Sequence, residues 1–144
     1  MSNEWKEIEA KWMKGRTFKG FNPEGGEVLM GKLGDQSGLS PMEMLLAGLA
    51  GCTGIDVALI LDKKRQNLEN FEVKIRAKRA DGHPRVYTEI EIEYLLWGDG
   101  LDDKAIQQAI KLSEEKYCSA SAMLGKTAVI RSSYQIMSSI MEKL

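Results

Sequence analysis

Two thiols are the groups in this sequence best suited to chemistry. Cys52 lies within a long apolar segment, and Cys118 follows an amphipathic segment that ends near Lys116. One buried and one peripheral cysteine suit an attacking thiol and a resolving thiol, which condense to a disulfide. The alternative for Cys52 is a structural role, because free cysteine is among the most buried residue types and packs as a small hydrophobic group.

A reactive Cys52 needs a positive charge close by, because the thiolate is the nucleophile. Cys52 lies too far from the start of its helix at Pro41 for the helix dipole to stabilise a thiolate. Asp56, one turn later on the same face, would oppose ionisation unless a cation neutralises it. We therefore expect an arginine or lysine from elsewhere in the fold beside Cys52. We expect Cys118 to be the more exposed and mobile of the two thiols.

Other kinds of site find little support in the sequence. A single histidine and two cysteines lack the spacing of a zinc site, and His83, in a Gly-His-Pro turn, is interpreted as a plain loop residue. No phosphate-binding loop and no nucleophile-elbow motif occurs. The 20 basic and 21 acidic residues give a net charge of −1, so no basic field is available for nucleic acid. We expect no metal and no cofactor.

The length of 144 residues predicts a single domain over residues 1–144. The charged N-terminal segment lacks the apolar core of a signal peptide, which favours a cytoplasmic location. Residues 44–61 are long enough to suggest a membrane span. Asp56 and three glycines within that segment argue against one, as do half-apolar strands elsewhere that need a helix to cover them.

Residues 40–63 are predicted to form a central helix. Ser40 and Glu43 form a capping-box pattern, and Pro41 suits the first helical position. The sequence that follows is apolar on nearly every face, so we expect it to be buried all round. Glycines at three-residue spacing would each cost about 1 kcal/mol of helix stability, which suggests that another backbone approaches closely. These glycines are Gly48, Gly51 and Gly54.

The remaining elements predict an α+β fold with an antiparallel sheet. Alternating apolar and polar residues predict strands. These are residues 5–13, 16–21, 27–32, 71–79, 85–97 and 127–137. A helix is predicted over residues 101–116, with Asp102 as its N-cap. The two strands before it carry a basic outer row and an acidic outer row, which can pair across a hairpin and fix its register.

Two motifs together resemble the OsmC/Ohr family of osmotically inducible and organic hydroperoxide resistance proteins. The first is Pro41-x-Glu43-x-Leu-Leu-Ala followed by Ala-Gly-Cys52, and the second is Lys-Tyr-Cys118-Ser. The order of elements also matches, from about Trp5 to Met137. The resemblance implies antiparallel sheets wrapped around long central helices in an intertwined homodimer, with active sites at the subunit interface.

The activity that the resemblance implies is the thiol-dependent reduction of organic hydroperoxides. Cys52 would attack the peroxide oxygen and become a sulfenic acid, and Cys118 would condense with it. An external thiol, a lipoyl group in many relatives, would reduce the disulfide. In the family an arginine and a glutamate polarise the attacking thiol. The alternative is a non-enzymatic dimer that binds a small apolar or sulfur-containing ligand, with Cys52 as a structural or redox-sensing thiol.

The carboxylate and the cation of this chain depart from the family pattern. Met42 stands where the peroxidase branches have glutamate. Glu43 lies nine residues before Cys52, half a turn out of phase on a helix, so we interpret it as part of the capping box.

Arg16 matches the place from which the Ohr branch supplies its arginine, whereas the OsmC branch uses a later loop, where this chain has only Lys32. Our hypothesis is that Asp56 holds Arg16, which leaves Arg16 to stabilise the Cys52 thiolate.

Overall fold

The structure is a computed structural model that describes residues 4–138. The described residues fall into two compact units, which divide between Leu46 and Ala47. The first unit contains the N-terminal strands, and the second contains both cysteines. The single domain over residues 1–144 stays a prediction.

The first unit is built from short antiparallel strands. Strands β1 (Glu9–Lys14), β2 (Thr17–Phe21) and β3 (Glu27–Met30) form one sheet in that order. Strands β4 (Lys32–Leu33) and β5 (Gln36–Ser37) form a small second hairpin. The first three strands confirm the predicted ones with shifted ends. The small hairpin was not predicted, because two-residue strands are too short to show a periodic pattern.

Helix α1 (Pro41–Lys63) begins with the predicted capping box. The Ser40 backbone N–H donates to Glu43 Oε1 at 2.8 Å, and the Glu43 N–H donates to Ser40 Oγ at 3.1 Å. This exchange satisfies donors that a helix start leaves unpaired. The backbone hydrogen bond from Ser40 lowers the pKa of Glu43. The structure thus supports a capping role for Glu43.

The expectation that α1 is buried all round is wrong for the single chain. Its buried residues follow one stripe: Leu49, Thr53, Val57 and Leu61. On the opposite face Ile55 is 63% exposed and Leu59 is 58% exposed. By length and composition alone α1 could cross a membrane, and 22% of its most apolar window is buried.

The glycines of α1 divide between these two faces. Gly54 faces the sheet of the second unit, where an added Cβ would lie 3.5 Å from Val73 Cγ2. Added Cβ atoms at Gly48 and Gly51 would meet nothing within 4 Å among the described residues. This is an ordinary van der Waals contact with a side chain, so the predicted close approach of another backbone is not found at Gly54. At Gly48 and Gly51 it remains a prediction.

The second unit contains a three-stranded sheet in the order β6 (Leu68–Arg79), β7 (Tyr87–Gly98) and β8 (Val129–Met137). Strands β6 and β7 form the predicted antiparallel hairpin. Strand β8 instead runs parallel to β7, which corrects the expectation of a wholly antiparallel sheet. The long helical connection between β7 and β8 allows this, because a parallel neighbour requires a crossover. The α+β class itself is confirmed.

The outer rows of the hairpin pair as predicted. Lys74, Arg76 and Lys78 lie opposite Glu93, Glu91 and Glu89, respectively. The Arg76 guanidinium approaches Glu91 Oε2 at 2.8 Å. The inner face of β7 supplies much of the core of this unit, through Ile90, Ile92, Tyr94 and Leu96.

The crossover contains three consecutive helical segments. Helix α2 (Asp103–Leu112) begins at the predicted cap, where Asp102 Oδ2 accepts from the Ala105 N–H at 3.1 Å. One turn of π-helix (Ser113–Tyr117) and a short helix α3 (Ser119–Leu124) follow. Cys118 lies between the last two segments, so its position depends on this local widening of the helix.

Candidate active site

Cys52 lies on α1 at the border between the buried stripe and the exposed apolar face. Its neighbour Thr53 is fully buried, whereas Gly51 is exposed. Cys52 itself is half-buried. A thiol in this position has one side within the protein and one side open to an approaching molecule.

Cys118 is buried, with 3% of its surface exposed, so the expectation that it is the more exposed thiol is wrong. The backbone at this position is fixed on both sides. The Cys118 N–H donates to the Ser113 carbonyl oxygen at 2.7 Å, which closes the π-turn. The sulfur accepts from the Ser121 N–H at 3.4 Å and thus caps α3. The polar Ser/Ala composition suggested exposure, but this cap turns the sulfur inward.

The two thiols lie close enough for Cys52 to influence the pKa of Cys118, although 66 positions separate them in the sequence (118 − 52). Burial raises the pKa of Cys118, and the neighbouring Cys52 raises it further. The Ser121 backbone N–H acts in the opposite direction. Cys118 therefore keeps its proton more readily than an ordinary thiol.

Asp56 lies one turn after Cys52 and is half-buried. Its Oδ2 atom accepts a hydrogen bond from the Ser113 hydroxyl at 2.9 Å. Ser113 therefore contacts both Asp56 and Cys118, since its carbonyl oxygen accepts from the Cys118 N–H. The predicted pairing of Asp56 with Arg16 stays a prediction.

Arg16 is exposed and directly precedes β2. Gly15 before it has a positive φ of 56°, which closes the turn from β1. Gly31, with a φ of 98°, passes so close that an added Cβ would lie 3.1 Å from the Arg16 carbonyl oxygen. The backbone that carries this guanidinium is therefore closely packed, while the side chain extends to the surface.

Three buried hydroxyl groups next to the thiols were not predicted as site residues. Thr53 Oγ1 lies 2.8 Å from the Tyr94 hydroxyl and 2.9 Å from Ser113 Oγ. The Tyr94 hydroxyl also donates to Glu114 Oε2 at 2.5 Å. The sequence feature that could have identified them is a polar residue within an otherwise apolar helix face. Thr53 interrupts the core face of α1, and Ser113 continues the apolar face of α2.

The described residues offer no group of three or more His, Cys, Asp and Glu side chains that could hold a metal ion. The chemistry available at this site is that of its thiols, carboxyl groups and hydroxyl groups. A half-buried thiol beside a buried one can form a disulfide. The fold is that of an α+β protein that brings its two free cysteines near each other.

Comparison with known proteins supplies the family. The model of the OsmC-like protein family matches residues 34–133, which include both cysteines. Protein YhfA of Escherichia coli K12 is 41% identical over 132 residues, covering 91% of this chain and 98% of YhfA. The chain therefore belongs to the OsmC-like family.

Solved structures agree with this assignment. A hypothetical protein from Aquifex aeolicus is 38% identical, with a TM-score of 0.84, and the match covers 94% of this chain and 98% of that one. An organic hydroperoxide resistance protein OsmC from Legionella pneumophila has a TM-score of 0.68 at 13% identity, covering 94% and 99%. The second match shows that the fold is shared and nothing more.

Proposed function

We propose that this protein is a thiol-dependent peroxidase that reduces organic hydroperoxides. The observation that carries the proposal is the proximity of Cys52 and Cys118, one half-buried and one buried, which is close enough for Cys52 to raise the pKa of Cys118. The shared fold with a protein named for organic hydroperoxide resistance is consistent with it. The proposed setting is the cytoplasm, where reducing systems keep thiols available.

The unequal burial of the thiols supports the roles proposed for them. Cys52 can meet a peroxide from outside, so its sulfur attacks the peroxide and the O–O bond breaks. This step oxidises Cys52 to a sulfenic acid and reduces the peroxide to an alcohol once the leaving oxygen gains a proton. Cys118 then attacks the sulfenic sulfur, a disulfide forms, and water leaves. An external thiol reductant, such as a lipoyl-type dithiol, would return both cysteines to thiols.

The cation in this proposal is Arg16, held by Asp56 and placed to stabilise the Cys52 thiolate. The apolar side chains proposed to surround the peroxide are Met42, Leu45 and Leu49. Such a lining favours an organic hydroperoxide over hydrogen peroxide, because apolar groups of the substrate are removed from water.

The proposal also includes a homodimer, supported by the exposed apolar face of α1. Ile55 and Leu59 are both more than half exposed on that face. Among the residues that the structure describes, nothing lies within 4 Å of a Cβ added at Gly48 or Gly51, which leaves room there for a second backbone. Exposed apolar patches of this kind mark interaction surfaces in soluble proteins. Cys52 lies at the edge of this face, so a second chain would complete the wall around the thiol.

A thiol count after peroxide treatment tests the activity. We expect reduced protein mixed with cumene hydroperoxide to lose both of its thiols per chain. Cys52→Ser should keep its remaining thiol. Cys118→Ser should give a sulfenic acid that dimedone traps, and Arg16→Ala should react more slowly than wild type. If both thiols persist in millimolar peroxide, the activity is absent, and the alternative of a ligand-binding or redox-sensing dimer takes its place.

A further inference from the structure

A continuous line of hydrogen bonds crosses the second unit beside the thiols. It runs from Asp56 through Ser113, Thr53 and Tyr94 to Glu114, and its four contacts measure 2.9, 2.9, 2.8 and 2.5 Å. The three hydroxyl-bearing residues are each fully buried. Water therefore does not reach the middle of this line, and each hydroxyl depends on its neighbours for hydrogen bonds.

The number of protons on this line does not match the number of contacts. With both carboxyl groups ionised, Ser113 donates to Asp56 and Tyr94 donates to Glu114. The single hydroxyl proton of Thr53 can then serve only one of its two contacts. The other contact would bring two oxygen lone pairs together, and a buried hydrogen bond that is left unmade is destabilising.

A fourth proton resolves this conflict. If either terminal carboxyl group holds one, every contact has one donor and one acceptor, and all donors point in the same direction. The two possible directions differ only by a shift of each proton to its neighbour. A proton taken up at the Glu114 end can thus appear at the Asp56 end without any side chain moving.

The Asp56 end of this line lies beside the attacking thiol. Asp56 follows Cys52 by four residues on α1, which places their Cβ atoms about 5–6 Å apart. The Glu114 end is half-buried and also accepts from Ser132 Oγ, an exposed residue of β8, at 3.0 Å. One end thus faces the reaction, and the other lies towards solvent, from which a spent proton can be replaced.

We propose that the line from Asp56 to Glu114 holds one extra proton and delivers it to the leaving oxygen of the peroxide. This inference rests on the proposed peroxidase activity. The Cys52 thiolate forms the S–O bond, and the O–O electron pair goes to the leaving alkoxide. Asp56 gives that alkoxide its proton, and proton shifts along the line restore Asp56. Thr53, Ser113 and Tyr94 act through Asp56 and are positioning residues.

Thr53→Val tests the proton transfer, because it divides the line into two pairs that need no extra proton. We expect Thr53→Val to slow the oxidation of Cys52 by cumene hydroperoxide about 10²-fold. This is the smallest rate loss typical when general acid catalysis is removed. Alkylation of Cys52 by iodoacetamide should keep its rate, because iodide leaves without a proton. Thr53→Ser retains the hydroxyl and should restore the peroxide rate. Both reactions are measured in a Cys118→Ser background.

The extra proton itself can be observed without any peroxide. The infrared difference spectrum of wild type minus Thr53→Val at neutral pH should contain the carbonyl stretch of a protonated carboxyl group, and wild type minus Thr53→Ser should not. Tyr94→Phe, which keeps the ring that stacks on Phe71, serves as a second variant if Thr53→Val does not fold.

Three outcomes overturn the inference: no such band, an unchanged peroxide rate in the variant, or equal slowing of both reactions. A wild type that reacts with iodoacetamide but not with peroxide refutes the proposed activity instead, and the infrared band alone then decides whether the proton is present.

Discussion

Cys52 and Cys118 differ in burial, and this difference is the basis of the role proposed for each thiol. The accessible thiol meets the substrate, while the buried thiol reacts only with a partner already inside the protein. Burial raises the pKa of Cys118 because its charged form would lose hydration. A resolving cysteine that remains protonated also carries the proton that leaves with water when the disulfide forms.

The raised pKa of Cys118 predicts how stability depends on pH. Between the ordinary thiol pKa and the raised one, the folded protein binds more protons than the unfolded chain. The stabilisation is therefore full below the unfolded pKa and is lost as pH rises through the folded pKa. Urea unfolding of reduced protein from about pH 7 to about pH 10 should give a falling free energy of unfolding.

Cys118→Ser should flatten this decline, while Cys52→Ser should leave part of it. The pKa of Tyr94 is also raised, by burial and then by its hydrogen bond with Glu114. Its effect begins above the ordinary tyrosine pKa of about 10, beyond the measured range. If the free energy of unfolding falls equally with pH in wild type and in Cys118→Ser, Cys118 is not the group responsible for the decline.

At the scale of the element, α1 combines a local start signal with two different faces. The capping box fixes where the helix begins, and that start fixes the phase of every later residue. Cys52 then falls at the border of the buried stripe, and Asp56 falls on the same side one turn later. A shift of one residue in the start would rotate Cys52 by 100° about the helix axis, away from Cys118.

Variants of the cap separate its structural role from a catalytic one. Ser40→Ala should lower the free energy of unfolding by about 1 kcal/mol, because it removes the acceptor for the Glu43 N–H. Glu43→Gln retains a side-chain acceptor at this position and should change stability little. If Glu43 only caps, Glu43→Gln should also keep the rate of Cys52 oxidation. Chemical denaturation and thiol counting measure the two effects, and a large loss of rate in Glu43→Gln would make this glutamate catalytic.

At the scale of the whole molecule, the exposed face of α1 is the feature that a single chain leaves unexplained. Ile55 and Leu59 expose large apolar side chains there. Two glycines on the same face lower the stability of the helix, and added Cβ atoms there would meet nothing within 4 Å in residues 4–138. Both features make physical sense if a second copy packs against this face.

Substitutions on this face test the proposed dimer. Leu59→Lys should raise the dissociation constant of the dimer more than about tenfold, because burial of a leucine contributes about 1.5–3 kcal/mol. Gly48→Leu should also weaken the dimer by blocking a close approach, although leucine favours the helix itself. Leu59→Met is the matched control and should leave association unchanged. Sedimentation equilibrium measures all three, and a wild-type monomer at every concentration would refute the dimer.

The sequence by itself determined the features that depend on neighbouring residues. The capping box, the phase of α1, the alternating faces of β6 and β7 and the Asp102 cap all follow from contacts a few residues apart, so local patterns predict them. The two cysteine motifs were also sufficient for the family. Only the tertiary structure decided the burial of Cys118, the parallel pairing of β8 and the line of hydroxyl groups. Thr53 meets Tyr94 across 41 positions and Ser113 across 60, and such contacts depend on how whole elements pack, which no local pattern records.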